Sequence, residues 1–225
     1  MREVVIDTET TGLDPAEGHR IVEIACLELV HHVPTGRKLH CYVDPERDVP
    51  AEAMAVHGLD SEFLAGHPPF AAIVEEVIQF IAGDCVVIHN AEFDLAFINA
   101  ELARVGQGPL AGPFLDTLAV ARRRFPGAPA SLDALCRRFG IDLSSRDRHG
   151  AAIDCDLLAA VYIELLGGRQ PGLDFALSNT GAAAIEAPLN RAPRPARPHA
   201  PSAAEAAAHQ AMLAAIKAPL WLAVG

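Results

Sequence analysis

The sequence predicts a mixed α/β domain followed by a flexible C-terminal tail. Three β-branched or alternating segments come first, separated by Gly, Pro and Asp, and they indicate an antiparallel meander. From residue 70 onward helical segments alternate with apolar strand segments, which favours parallel strands added to the same sheet. Ala and Pro make up half of residues 180–225, a composition typical of a linker.

The individual elements follow in chain order from these patterns. The predicted strands are residues 3–7, 20–30, 38–43, 85–89 and a short segment near Phe114. The predicted helices are residues 70–82, 94–105, 116–125, 131–139 and 151–166. Together they give a mixed five-stranded sheet flanked by helices.

Composition excludes several classes of protein. The 225 residues are 51% hydrophobic and contain neither a run long enough to span a membrane nor a secretory signal, so we expect a cytoplasmic protein without membrane contact. Residues 1–175 carry 14 Lys and Arg against 27 Asp and Glu. We do not expect such an acidic domain to bind duplex DNA unaided, because the affinity of a protein for duplex DNA comes largely from neutralising phosphates. The five cysteines have no Cys-x-x-Cys spacing and indicate reduced core residues.

Two carboxylates end the first predicted strand. Asp7 and Glu9 lie two residues apart and therefore project from the same face. Such a pair is expected about once by chance in a chain of this length, and a solvated strand end explains it when nothing else accompanies it.

Two further aspartates begin helices. Asp94 heads an apolar stripe that continues through Phe97, Ile98 and Leu102, although a simple N-cap explains most aspartates at such positions. Asp154 shares a helical face with Leu158, and the alternative is an aspartate favoured by the helix dipole. Because a strand over residues 85–89 parallel to the first would bring these groups together, we expect the four carboxylates to converge.

Converging carboxylates without paired Lys or Arg repel one another, and hard divalent cations resolve the repulsion. All-oxygen ligation favours two Mg²⁺ or Mn²⁺ ions, an arrangement suited to in-line displacement at phosphorus. His149, with an unperturbed pKa of about 6.5, could then accept a proton from the attacking water at neutral pH. The alternative is an exposed loop histidine, and the five-residue spacing to Asp154 argues against it.

Separated motifs in the same order resemble those of the DEDDh 3′–5′ exonucleases, specifically the proofreading subunits of bacterial DNA polymerase III. The resemblance covers about residues 3–168. The matching segments are Asp7-Thr8-Glu9-Thr10-Thr11-Gly12, Val56-His57-Gly58-Leu59, His89-Asn90-Ala91-Glu92-Phe93-Asp94, Ser131-Leu132-Asp133-Ala134-Leu135-Cys136 and His149 to Asp154. The resemblance implies a ribonuclease H-like fold, with Asp7, Glu9, Asp94 and Asp154 as metal ligands and His149 as general base.

The same resemblance implies contacts to the terminal nucleotide. Glu9, Glu52 and His57 would bind it, while Leu13 and Phe93 would form apolar walls against its base and sugar. A run of three arginines at residues 122–124 could contact a phosphate backbone, but a mostly solvated surface is favoured because adjacent helical positions point in different directions, and the run is left out of the site.

The expected function is removal of mispaired 3′-terminal nucleotides, from single-stranded or frayed DNA ends, within a replicative polymerase complex. The rivals are an RNA-directed 3′–5′ exonuclease of the same superfamily and a non-catalytic scaffold that joins polymerase and clamp. We expect an exonuclease domain at 1–169, a clamp-binding peptide at 170–175, a linker at 176–202 and a polymerase-binding tail at 203–225.

The tail carries two candidate docking segments. Gln170, Leu173 and Phe175 have the form Gln-x-x-Leu-x-Phe, which looks like the peptide that docks bacterial replication proteins onto the sliding clamp; a segment packed on its own domain is the alternative. The apolar end of the tail predicts a contact with the catalytic subunit of DNA polymerase III. Its candidate residues are Leu213, Ile216, Leu220 and Trp221.

Overall fold

The computed structural model describes residues 1–144, 149–168 and 200–217, and divides into two compact units, Met1–Phe175 and Ala176–Gly225. The first unit is built on one five-stranded sheet with the order β3-β2-β1-β4-β5. The strands are β1 (Arg2–Thr10), β2 (Ile21–Val30), β3 (Val33–Tyr42), β4 (Cys85–Ile88) and β5 (Phe114–Asp116). The predicted α/β class with a mixed five-stranded sheet is confirmed.

Strand directions place the end of β1 at the centre of the sheet. β2 pairs antiparallel to β1, and the register sets Glu9 opposite Glu23. β4 pairs parallel to β1, with Val5 opposite Val87, so the segment that follows β4 is level with the end of β1. The carboxyl ends of the two central strands therefore meet at one edge, as the sequence predicts.

Helices cover both faces of the sheet. They are α1 (Ala51–His57), α2 (Ser61–Leu64), α3 (Phe70–Ile81), α4 (Ala91–Arg104), α5 (Thr117–Arg124), α6 (Leu132–Phe139) and α7 (Ala151–Leu165). One core cluster joins α3 and α4 to the β1 side chains Val4 and Ile6. A second joins α5, α6 and α7 to Val5. Alternation along β1 thus divides the core between the two faces.

The first helix was not predicted from the sequence, where the earliest predicted helix begins at residue 70. α1 runs from Ala51 to His57, ends at Gly58 in the left-handed region (φ 79°), and buries only His57. Its apolar residues Met54 and Val56 are exposed, so no apolar stripe marks it as a helix in the sequence. Gly58 tolerates this conformation because it lacks a Cβ atom.

A buried ion pair ties the loop between β1 and β2 to α4. Arg20 donates from Nε and Nη2 to the two carboxylate oxygens of Glu101 at 2.6 and 2.8 Å, and Glu101 is 3% exposed. The same loop carries Leu13, and Thr11 donates its backbone N–H to the Arg20 carbonyl at 2.9 Å. The bidentate pair therefore fixes a loop that borders the site described below.

The second unit contains one described helix, α8 (Ala203–Ala215), which begins with a capping box between Ser202 and Glu205. Leu213 is buried and Ile216 is exposed. Leu220 and Trp221 lie outside the described residues, as do Gln170, Leu173 and Phe175. In the described parts of the chain, we find no helix with the length and apolar character required to cross a membrane.

We predict that Glu101→Gln lowers the free energy of unfolding by about 3 kcal/mol, because the largely buried Arg20 guanidinium loses its buried counter-charge and keeps only the exposed Glu46 at 3.4 Å. Asp156→Asn is the control, since Asp156 pairs with Lys38 in a half-exposed position, where ion pairs contribute less than about 1 kcal/mol. Urea denaturation of the full chain measures both values. Equal losses in the two variants would contradict the assigned role of the pair.

Candidate active site

Three carboxylates meet on the α7 face of the sheet. Asp7 and Glu9 project from the end of β1 toward the helices that pack on this face, and Asp154 lies in the first turn of α7. Asp154 is 4% exposed and Glu9 is 9% exposed. α7 packs directly on β1 and β2, which brings its first turn to the end of β1.

Asp94 reaches the same point from the opposite face. It lies in the first turn of α4, and its Oδ1 accepts hydrogen bonds from the backbone N–H of Thr8 at 3.0 Å and from the Thr8 hydroxyl at 2.7 Å. Thr8 stands between Asp7 and Glu9 on β1. The two bonds therefore hold the Asp94 carboxylate against the strand that carries the other acidic residues.

Burial and the proximity of these groups shift the pKa values of Asp7 and Asp94. Burial raises the pKa of Asp7 well above its usual range, and the negative charges of Asp94, Asp154 and Glu9 raise it further. Burial also raises the pKa of Asp94 to about 7, although the hydrogen bonds from Thr8 act in the opposite direction. The four predicted carboxylates thus lie near one another, and ionisation of Asp7 and Asp94 is unfavourable without cations.

His149 joins the cluster from the residues that precede α7. Its Nδ1 lies 3.4 Å from Oδ2 of Asp154, and ligand atoms of Glu9, His149 and Asp154 all lie within 4.8 Å of one another. The backbone N–H of His149 donates to the Val56 carbonyl at 3.3 Å, which ties this segment to α1. The side chain is half exposed, so it is accessible to water and substrate.

On one side of the cluster lies a cavity of about 490 Å³, here called the α1 cavity, lined by residues that include Thr8, Glu9, Leu13, Glu52, His57 and Phe93. All five residues predicted to contact the terminal nucleotide are thus in its wall. Leu13 is 85% exposed at its border, so its side chain is available to contact a ligand in the cavity.

His57 presents an unsatisfied donor to the α1 cavity. Its Nδ1 accepts a hydrogen bond from the Leu59 backbone N–H at 3.1 Å, so the proton of the neutral ring is on Nε2. Nε2 is buried and has no hydrogen-bond partner among the described residues. Burial lowers the pKa of His57, and the nearby Thr10 backbone opposes this only in part. A buried N–H of this kind needs an acceptor, which a bound ligand can supply.

A second cavity, here called the α5 cavity, lies on the other side of the cluster. It has a volume of about 660 Å³ and is lined by Asp7, His89, Asn90, Leu118, Arg122, Ser131, Leu132, Asp133, His149 and Asp154. Arg122 is exposed, as the sequence analysis expects, yet it lines the same cavity as three of the predicted site residues.

Sequence reasoning missed one carboxylate near the cluster. Glu23 is 3% exposed, raises the pKa of Asp7 and lies 2.7 Å from Nε2 of His40 through its Oε1. A Cβ atom placed on Gly150 would lie 3.9 Å from Oε2 of Glu23, so the strand residue also approaches the start of α7. Only the β1–β2 register, which sets Glu23 opposite Glu9, could have identified it.

The donor set fits hard divalent cations. Among the described residues, ligand atoms of Glu9, His149 and Asp154 lie close enough together to share an ion, and Asp7 interacts electrostatically with Glu9, Asp94 and Asp154. Oxygen ligands of this kind favour Mg²⁺ or Mn²⁺ over softer metals. Bound cations would also relieve the mutual repulsion that raises the pKa of Asp7.

Known proteins resemble this chain in sequence and in fold. A family model described as Exonuclease matches residues 4–162. The chain is 51% identical over 176 residues to DNA polymerase III subunit epsilon of Rickettsia typhi, covering 76% of each chain. It is 41% identical over 225 residues to the same subunit of Salmonella typhimurium, covering 94% of this chain and 92% of that one.

A solved structure of exonuclease X in complex with 5′ overhanging duplex DNA superposes with a TM-score of 0.57 at 28% identity, covering 73% of this chain and 90% of the other. These matches confirm the resemblance on which the sequence analysis relied. The chain therefore belongs to the exonuclease family and, within it, to the DNA polymerase III epsilon subunits.

Proposed function

We propose that this protein proofreads DNA replication as a metal-dependent 3′–5′ exodeoxyribonuclease associated with DNA polymerase III. The observation that supports it most directly is the cluster of Asp7, Glu9, Asp94, Asp154 and His149 between two cavities. Relatives that carry the name of the epsilon subunit point to the same activity and to the same polymerase.

Asp7, Glu9, Asp94 and Asp154 would hold two divalent cations, Mg²⁺ or Mn²⁺. When bound, such ions supply an activated water and stabilise negative charge on the leaving 3′-oxygen. The protein contributes fixed ligand positions: Thr8 orients Asp94 through two hydrogen bonds, and α7 presents Asp154 from its first turn. Fixed ligands matter because displacement at phosphorus depends on the alignment of the attacking and leaving oxygens.

His149 is the proposed general base. Its half-exposed ring lies beside Asp154, and a neutral imidazole nitrogen can accept a proton from the attacking water. The adjacent carboxylate orients the ring through Nδ1 and stabilises the imidazolium that forms. The proton leaves to solvent through the exposed side of the ring.

The α1 cavity is the proposed subsite for the terminal nucleotide. Leu13 and Phe93 offer apolar surfaces for a base and a sugar, whereas Glu52 and the Nε2–H of His57 offer polar contacts. A 3′-terminal nucleotide freed from its complement can enter this cavity, whereas a paired one is retained in the duplex. Selection of mispaired ends would follow from the ease of fraying.

The activity is tested on a labelled primer with a 3′ mismatch, the same primer correctly paired, and an RNA of the same length. We expect removal of the mispaired deoxynucleotide in Mg²⁺ or Mn²⁺, none in EDTA, and no measurable product from Asp7→Asn. His149→Ala should lose roughly 10²- to 10⁴-fold in kcat and the acidic limb of its pH profile. Preferred hydrolysis of RNA would favour the RNA-directed alternative, and wild-type turnover by Asp7→Asn would exclude the proposed mechanism.

A second prediction concerns stability without metal. Because the pKa of Asp94 is about 7 in the folded chain and 3.8 is the ordinary value, the folded state retains a proton that the unfolded state has lost between these values. The free energy of unfolding in EDTA should therefore fall as pH rises from about 4 to about 8.

The free energy of unfolding of Asp94→Asn should depend less steeply on pH. In EDTA at pH 8 this variant should be more stable than the wild type, since the amide oxygen still accepts from Thr8 but carries no charge. Mg²⁺ or Mn²⁺ should raise the Tm of the wild type more than that of the variant. Thermal unfolding at several pH values measures both effects. If the free energy of unfolding of Asp94→Asn depends on pH as steeply as that of the wild type, the raised pKa of Asp94 is not the cause of the pH dependence.

Two changes outside residues 1–169 should each remove one partner and leave hydrolysis of single-stranded DNA unchanged. Deletion of residues 204–225, which removes Leu213, Ile216, Leu220 and Trp221, should abolish co-purification with the polymerase catalytic subunit.

Combined replacement of Gln170, Leu173 and Phe175 by alanine should abolish binding to the sliding clamp, because the peptide loses both apolar anchors. Titrations with purified polymerase subunit and clamp measure each loss, and unaltered affinity would refute the corresponding assignment.

A further inference from the structure

The three arginines at the end of α5 have different surroundings. The Nη1 of Arg124 donates to the backbone carbonyls of Glu164 and Leu165 and so attaches α5 to the end of α7. Arg123 is exposed, with no hydrogen bond or ion pair to the described residues. Arg122 lines the α5 cavity together with Asp7, His149 and Asp154. Arg124 thus has a structural role, whereas Arg122 faces the site.

Arg122 is not used to neutralise the acidic wall of the cavity. Within residues 1–144 and 149–168, its guanidinium forms no ion pair or hydrogen bond, whereas Asp133 of the same wall pairs with Arg137 at 3.7 Å. Among the described residues that line the α5 cavity, Arg122 is the one Lys or Arg. Burial is the main cause that lowers the pKa of His89, and the positive charge of Arg122 lowers it further. A cation so placed can bind an anion that enters the cavity.

The position of the acidic cluster indicates which anion that is. Hydrolysis of a phosphodiester requires the scissile phosphate at the cluster, with one nucleotide on each side of it. The α1 cavity, lined by Glu9, and the α5 cavity, lined by Asp7, lie on two sides of the cluster. If the terminal nucleotide occupies the α1 cavity, the α5 cavity can receive the penultimate nucleotide, because its wall carries Asp7 and Asp154 of the cluster together with the Arg122 cation.

We propose that the α5 cavity binds the penultimate nucleotide and that Arg122 binds the phosphate on its 5′ side. This inference rests on the proposed function, since it takes the strand direction from a 3′ end held in the α1 cavity. A guanidinium suits the role because it can donate two parallel hydrogen bonds to phosphate oxygens. In a domain with 14 Lys and Arg against 27 Asp and Glu, one such contact near the acidic cluster should contribute strongly to binding.

The test compares Arg122→Gln with Arg123→Gln, which makes the same charge change on the next residue of the same helix. Full-length variants are assayed for removal of the first nucleotide from single-stranded oligodeoxynucleotides. One substrate is unmodified, and the other carries a neutral methylphosphonate at the linkage on the 5′ side of the penultimate nucleotide. Binding is measured separately by fluorescence anisotropy with Ca²⁺ in place of Mg²⁺, so that affinity is read without turnover.

We expect Arg122→Gln to raise KM and Kd about tenfold on the unmodified strand, the loss typical of one charge-assisted hydrogen bond, with kcat within about twofold of wild type. Arg123→Gln should change none of these values. The methylphosphonate should raise the wild-type KM and Kd to those of Arg122→Gln and should leave Arg122→Gln unaffected, because the contact has already been removed.

Three results would overturn the proposal. Equal effects of the two substitutions would show that Arg122 acts only through its positive charge and not through a specific phosphate contact. An effect of Arg122→Gln that persists in full on the methylphosphonate strand would place its contact elsewhere. A fall in kcat with unchanged KM would assign Arg122 to the scissile phosphate. Wild-type protein that binds the strand but does not hydrolyse it in Mg²⁺ or Mn²⁺ would instead contradict the proposed function, while the anisotropy comparison would still decide the role of Arg122.

Discussion

Asp7 lies where carboxylates from three other positions converge, and the architecture of the first unit depends on keeping these like charges together. β1 supplies Asp7 and Glu9, α4 supplies Asp94 from one face of the sheet, and α7 supplies Asp154 from the other. Burial and mutual repulsion make ionisation of Asp7 unfavourable. The rest of the domain holds this arrangement because two separate cores fix α4 and α7 on opposite faces of β1.

Several polar contacts limit how far the cluster can relax. Thr8 holds Asp94 against β1, and the N–H of His149 is bonded to the Val56 carbonyl of α1. The Arg20–Glu101 pair fixes the loop that carries Leu13. Because these contacts connect the cluster to the α1 cavity and to the surrounding helices, the acidic residues and His149 are held in fixed positions relative to that cavity. Rigid placement of this kind is what catalysis by two cations requires.

Much of the fold was predictable because its elements have strong local patterns. The apolar segment that became β4 and the amphipathic segments that became α3 and α6 were located within one or two residues of their observed ends. α1 was not predicted, since its exposed Met54 and Val56 provide no apolar stripe. His57 is the one buried residue of α1, and its burial cannot be read from a periodic apolar pattern along the helix.

The order of the five strands and of the five longer helices of the first unit could be predicted from local periodicity, and the spacing of short motifs was enough to select the four acidic residues and His149 as candidates. Which other residues lie beside these candidates depends on tertiary packing. Glu23 approaches Asp7 through the β1–β2 register, and Arg122 reaches the α5 cavity through the packing of α5 beside α7. Neither relation is local in the chain: the neighbours of a side chain in a packed sheet and its helices come from segments far apart in sequence, and their proximity arises only when the two cores form.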